Sequence, residues 1–148
     1  MYKKILIATD GSELAQRAVE QGISLAKSLN ASVMFVTVTE LWSPLEMAGA
    51  AELGSQDAVR GYEDAAAQSA KEILKQANEL AASAGIASET RHIADRRPAE
   101  GILDTAELYD CELIVMASHG RRGLQKMLVG SQTSEVIALS KRPVLVVR

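Results

Sequence analysis

Short runs of consecutive apolar residues alternate along this chain with longer stretches in which apolar positions recur every three to four residues. Lys4–Thr9 (KILIAT) is the first run, apolar and β-branched and closed by Asp10-Gly11-Ser12, as in a strand buried on both faces. Ser12 and Glu13 then open a helix. Leu14, Ala15, Ala18, Val19, Gly22, Ile23, Ala26 and Leu29 fall on one helical face, and Asn30 stops it. Ser32–Val38 (SVMFVTV) predicts a second strand. Residues 40–56 follow no period, contain Pro44, Gly49 and Gly54, and read as a loop or short irregular turns. A long Ala-rich helix is expected over Asp57–Ala84 with Gly85 as its cap. Ser88–Ile93 alternates weakly as a third strand, and Arg97-Pro98 places a proline in the first turn of a helix running to Tyr109. Leu113–Ala117 (LIVMA) is a fourth buried strand, Ser131–Ser140 a short helix with Ser131 as cap, and Pro143–Val147 (PVLVV) the fifth strand.

Five alternations of strand and helix define an α/β chain with a mostly parallel five-stranded sheet and helices on both faces. Its 148 residues make one domain, 1–148, since no linker, low-complexity tract or repeat divides it. Alanine supplies 23 residues and aromatics only 3%, a composition for helices packed closely on a flat surface. No apolar run approaches the roughly 18 residues of a membrane span. The N-terminal lysines precede only ILIAT before Asp10, which fits a strand better than a signal peptide. The single Cys111 excludes a disulfide framework or cysteine metal cluster and reads as a small core residue, so a cytoplasmic protein is expected.

Charge is unevenly spread. Residues 119–148 carry six basic side chains against Glu135 alone, while the net charge of the whole chain is −3. A basic C-terminal fifth on an acidic chain suggests a local anion site, too small and mixed for a nucleic-acid surface.

Two loops that follow strands are polar and contain glycine: TDGS after the first, SHGRRG after the fourth. Ligands of doubly wound sheets bind beyond the carboxyl ends of strands, so chemistry is expected there. The fourth-strand loop runs Ser118-His119-Gly120, nine residues, then Gly130-Ser131-Gln132-Thr133 into a helix. Gly120 and Gly130 allow close backbone approach, and the helix N–H groups with the Ser131 and Thr133 hydroxyls suit a phosphate. The same residues also make an ordinary turn and N-cap. Neither a P-loop nor a GxGxxG fingerprint is present. Asp10 can bind a ribose hydroxyl or help hold Mg²⁺, or can simply close an Asx-turn. Arg121, Arg122 and Lys126 either reach phosphates or form a solvated basic face. His119 lacks a carboxylate partner in sequence and reads as a loop histidine with a structural hydrogen bond. Trp42 either covers a ligand or anchors a neighbouring chain.

These residues carry a resemblance. Over essentially its whole length the chain resembles the universal stress protein A family, whose nucleotide-binding members carry G-x2-G-x9-G-[ST] after the fourth strand. The matching stretch is Ala117-Ser118-His119-Gly120, nine residues, Gly130-Ser131, with Ala117 where the pattern opens on Gly. KKILIATDGS and RPVLVVR also resemble the family's first and last strands. The resemblance implies a Rossmann-like sheet of order 3-2-1-4-5 and a stress-response sensor or regulator that binds ATP and Mg²⁺. It implies Ala8, Thr9 and Val38 along the adenine and ribose, and Asp10 on the nucleotide and the metal. Met116, Ala117, His119, Gly120 and Arg121 would complete the site, with Gly130, Ser131, Gln132 and Thr133 at the phosphates.

No catalytic base with an orienting partner is evident in the sequence, so at most slow ATP hydrolysis is expected. The final strand is apolar and, in the family's strand order, falls at a sheet edge. A homodimer through that strand is expected, the alternatives being a central position or masking by the 40–56 loop. Ala117 favours an alternative member that binds no ATP and acts through protein contacts. A receiver-like domain shares the α/β pattern but needs an acidic cluster that Asp10 lacks in its loop, and a flavodoxin-type protein needs aromatics to stack a flavin.

Overall fold

The first apolar run forms β1 (Lys4–Ala8), buried from Ile5 onward because helices cover it on both sides. A computed structural model describes residues 1–40, 48–49, 52, 56–120 and 129–148. Trp42, Arg121, Arg122, Lys126 and most of the 40–56 segment lie outside the described residues. After β1 come α1 (Glu13–Leu29), β2 (Ser32–Thr39), α2 (Gln56–Ser83), β3 (Ser88–Ala94), α3 (Pro98–Leu108), β4 (Leu113–Ala117), α4 (Ser131–Leu139) and β5 (Val144–Val147).

The strands form one sheet in the order β3-β2-β1-β4-β5, and every adjacent pair is parallel. Leu6 pairs with Ile114 and Ile7 with Val115, so the C-terminal ends of β1 and β4 stand side by side. Here the strand order reverses, and the loops leaving β1 and β4 emerge at the same end of the sheet, where the ligand crevice of doubly wound folds lies.

Strand alternation sorts the core into two layers. Ile5, Ile7, Val33 and Phe35 face α1 and α2, while Leu6, Met34, Val36 and Ile114 face α3 and α4. Small residues let the helices close on the sheet: a Cβ on Gly22 of α1 would lie 2.4 Å from Ile7 Cδ1. Ser12 caps α1 by accepting from the Ala15 N–H, and Asn30 ends it in the left-handed region at φ 54°. Gly85, at φ +74°, turns the chain after α2, and Pro98 stands at the start of α3.

Element ends differ from expectation by a residue or so. Parallel pairing of Val38 with Ile93 and of Thr39 with Ala94 extends β2 and β3 by one residue each. Strand β5 starts at Val144 because Pro143 has no N–H and contributes only its carbonyl, which accepts from the Ile114 N–H at 3.0 Å. Strands β3 and β5 are the two edges of the sheet. Among the described residues, no helix is long and apolar enough to cross a membrane.

Candidate functional site

At the end of β1 the backbone turns tightly into α1. Asp10 Oδ1 accepts from the Ser12 N–H at 3.0 Å and Thr9 Oγ1 from the Gly11 N–H at 3.2 Å. Gly11 sits at φ +76°, a conformation that suits glycine. The Asx-turn is therefore formed. The second carboxylate oxygen faces the β4 loop, where a Cβ on Gly120 would lie 2.6 Å from Asp10 Oδ2. Thr9 is buried and bound to β2 through its N–H to Val36 O, and the Thr37 hydroxyl donates to its carbonyl.

Beyond β4, the Ser118 N–H donates to Val147 O at 2.8 Å and the returning Gly130 N–H donates to Ser118 O at 2.7 Å. The nine-residue excursion thus leaves and re-enters at one point. A Cβ on Gly130 would lie 3.2 Å from His119 Cβ and 3.3 Å from its Cα. Gly130 keeps two backbone segments close together, and the space next to it is filled by His119. His119 Nδ1 lies 3.2 Å from Ser118 Oγ, the structural hydrogen bond expected of a loop histidine.

Gly130, not Ser131, is the N-cap of α4. Its carbonyl accepts from the Ser134 N–H at 2.9 Å, which closes the helical turn one residue early and makes the exposed Ser131 the first helical residue. The cap makes no side-chain hydrogen bond, and the first-turn N–H groups stand at the positive end of the helix dipole. Thr133 is buried, and its hydroxyl donates to Ala117 O at 3.0 Å. Its one proton is used in tying α4 to β4, which leaves Ser131 as the hydroxyl donor of that turn.

Gln132 also points away from the crevice: its Oε1 accepts from the Ala99 N–H of α3 at 2.9 Å. Ala8, Val38 and Met116 share the α3–α4 face of the sheet, and Ala117 ends β4 almost fully buried. The C-terminal ends of β1, β2 and β4 therefore bring together Ala8, Thr9, Asp10, Val38, Met116 and Ala117, with Gly120 and the first turn of α4 across from them. Arg121 lies outside the described residues.

Sequence reasoning named Ser118 in the loop motif but gave it no role at the loop closure, where it is 2% exposed, and did not find the Arg97–Glu135 ion pair of 2.7 Å between α3 and α4. The Arg97-Pro98 pair marked a helix start, but its partner lies on a distant helix. Among the described residues, no three His, Cys, Asp or Glu side chains gather as metal ligands, and Asp10 is the one carboxylate of the β1 loop. A crevice of about 420 Å³, with Lys71, Leu74, Thr90 and His92 in its walls, lies apart from these loops between α2 and β3. Burial pushes the Cys111 thiol up to about 11, as for a small core residue.

The universal stress protein family model matches residues 1–148. The universal stress protein YxiE of Bacillus subtilis is 33% identical over 152 residues, covering 100% of each chain. A universal stress protein of Methanocaldococcus jannaschii is 33% identical over 148 residues, covering 100% of this chain and 83% of that one. Among solved structures, the universal stress protein UspA from Lactobacillus plantarum superposes with a TM-score of 0.79 at 26% identity, covering 99% of this chain and 98% of that one. Two others share the fold at 24% and 21% identity, with TM-scores of 0.70 and 0.69. They are a universal stress protein in complex with cAMP and one from Archaeoglobus fulgidus in complex with dAMP; each alignment covers 99% of this chain, and 97% and 98% of the respective structures.

Proposed function

The chain belongs to the universal stress protein family, and from that footing we propose that it binds an adenine nucleotide, ATP with Mg²⁺, between the β1 and β4 loops and acts in the cytoplasm as a stress-response sensor or regulator. The observation that carries this reading is the glycine-capped N-terminus of α4, at the same end of the sheet as the Asp10 carboxylate. First-turn N–H groups and the Ser131 hydroxyl donate to phosphate oxygens, each charge-assisted bond contributing roughly 1.5–3 kcal/mol. Gly130 brings that turn close, and His119 and Gly120 flank the phosphates.

The base packs on Ala8, Thr9, Val38 and Met116, with Ala117 beneath it. Asp10 takes a ribose hydroxyl or Mg²⁺; one carboxylate ligand fits a metal that keeps phosphate and water as its other ligands and neutralises phosphate charge. The cAMP and dAMP complexes of proteins with this fold support the adenine-nucleotide class. Sensing rather than rapid turnover is the reading, because among the described residues His119 Nδ1 is hydrogen-bonded to the Ser118 hydroxyl, a poorer orienter of a general base than a carboxylate.

Ala117, with a methyl where the family pattern opens on glycine, favours a second reading: a member that binds no ATP and acts through protein contacts. Mass spectrometry of small molecules released from the purified, denatured protein separates the two. An adenine nucleotide is expected. Its absence, together with no heat on titration with ATP, ADP or AMP, would overturn the first reading in favour of the second.

A further inference from the structure

One helix turn touches both halves of the site. On the base side, the first turn of α3 lies directly on Val38: a Cβ on Gly101 would fall 2.8 Å from Val38 Cγ2 and 2.9 Å from Cγ1. On the phosphate side, the Ala99 N–H of that turn donates to Gln132 Oε1, in the first turn of α4, at 2.9 Å. The α3 helix has no cap of its own. Its N-cap residue is Arg97, whose guanidinium has no acceptor, and Pro98 follows without an N–H. Gln132 therefore caps α3 from the neighbouring helix. Arg97 makes the return link, Nη2 to Glu135 Oε2 at 2.7 Å, so the two N-termini are tied together in both directions. The α4 turn is itself pinned to β4 through Gly130 to Ser118 and Thr133 to Ala117.

We propose that Gln132 is a positioning residue of the nucleotide site: by capping α3 from α4 it holds the Val38 wall and the phosphate-binding turn at a fixed separation. The proposal rests on the nucleotide reading above and adds how the two halves are kept in register. A ligand that joins base to phosphate gains from both halves only when their spacing is set before it arrives. Without the link each half keeps its own contacts, and what is lost is the benefit of their being joined. Gln132 thus acts through α3, by the carboxamide oxygen that accepts from the Ala99 N–H.

Gln132→Met keeps the length of the side chain and removes the acceptor. In the ligand-free protein, hydrogen exchange at the Ala99 amide is expected to rise about tenfold or more as the cap is lost. By calorimetry ATP is expected to bind about five- to twentyfold more weakly, while adenosine and tripolyphosphate, titrated separately by NMR, stay within about twofold of wild type. Unchanged Ala99 protection, or ATP affinity within twofold of wild type, overturns the proposal. So does an equal loss for tripolyphosphate and ATP, which makes Gln132 a direct phosphate ligand. A wild-type protein that binds none of the three overturns the nucleotide reading itself, and the positioning role with it.

Discussion

The carboxylate of Asp10 and the backbone of Gly120 meet across the mouth of the sheet, so closely that a Cβ on Gly120 would stand 2.6 Å from Asp10 Oδ2. Asp10 cannot swing aside freely, because Oδ1 accepts from the Ser12 N–H at the entrance to α1. The β1 and β4 loops are thus fitted to each other ahead of any ligand. Parallel pairing of β1 with β4 puts both loops at the same end of the sheet.

Gly120→Ala is expected to displace the Asp10 carboxylate and weaken ATP about three- to tenfold, with less than about 1 kcal/mol lost in stability, a Tm shift of about 2–4 °C at most. Asp10→Ala is expected to weaken ATP as well and to reduce its dependence on Mg²⁺. In the double variant the two effects should fall short of additivity, since both act on one carboxylate. Calorimetry with and without Mg²⁺ reads all three variants. Fully additive losses would uncouple the loops, and an unaffected Asp10→Ala with equal affinity with and without the metal would remove Asp10 from the site.

Gly130→Val tests the phosphate turn. The backbone at φ −71° and ψ 160° accepts a β-branched residue, so the strain is local: the new Cβ presses on His119 at 3.2 Å and pushes the α4 turn away. A folded protein with ATP affinity reduced at least tenfold to a hundredfold is expected, from roughly 1.5–3 kcal/mol per lost charged hydrogen bond. Circular dichroism checks the fold and calorimetric titration the affinity. A folded variant with wild-type affinity would place the phosphates elsewhere.

Strand and helix identities were legible because runs such as Ile5–Ile7 and Leu113–Met116 are buried on both faces and bounded by glycine, proline or capping residues. The glycines of the β4 loop were legible as places of close approach. What they approach was not: Gly120 meets a side chain from the first strand and Gly130 the backbone of His119. Ser131 looked like the cap because serine caps well, yet the hydrogen bond from Ser134 to Gly130 O sets the helix start one residue earlier. Gln132 and Thr133 looked like ligand residues by position. Their partners, Ala99 and Ala117, are brought near by the packing of α3 against α4 and of α4 on β4, which no local pattern encodes.

Cys111 makes a prediction about pH. Its thiol is wholly buried, and desolvation raises its pKa from 9.0 to about 11. Folding therefore favours the neutral thiol. Stability is intact below pH 9 and falls between pH 9 and 11 as the unfolded chain ionises first, by up to about 1.4 kcal/mol per pH unit. Urea unfolding across that range should show the slope, and Cys111→Ala should flatten it. At pH 8 the native thiol should resist a thiol reagent that labels the unfolded chain at once. Rapid native labelling would mean that Cys111 is not held neutral in the core.

The two edges of the sheet differ in charge, and the difference bears on assembly. Strand β3 carries Glu89 and Arg91, and Glu89 pairs with Lys4 at 3.1 Å, a charged edge that discourages a second sheet from joining. Strand β5 has no charge: Val144–Val147 are all apolar, Leu145 is 39% exposed, and beside it α4 exposes Ile137 and Leu139. Pro143 blunts only the first position of that edge. Pairing β5 with β5 of a second copy about a two-fold axis would satisfy its free N–H and C=O groups and cover these side chains. Light scattering at micromolar concentration is expected to give twice the 15.8 kDa of one chain. Val146→Lys should shift the protein to the monomer, because two copies of the strand would bring two ammonium groups into one interface. A wild-type mass of one chain would rule out the dimer, and a variant that still dimerises at wild-type strength would move the interface away from β5.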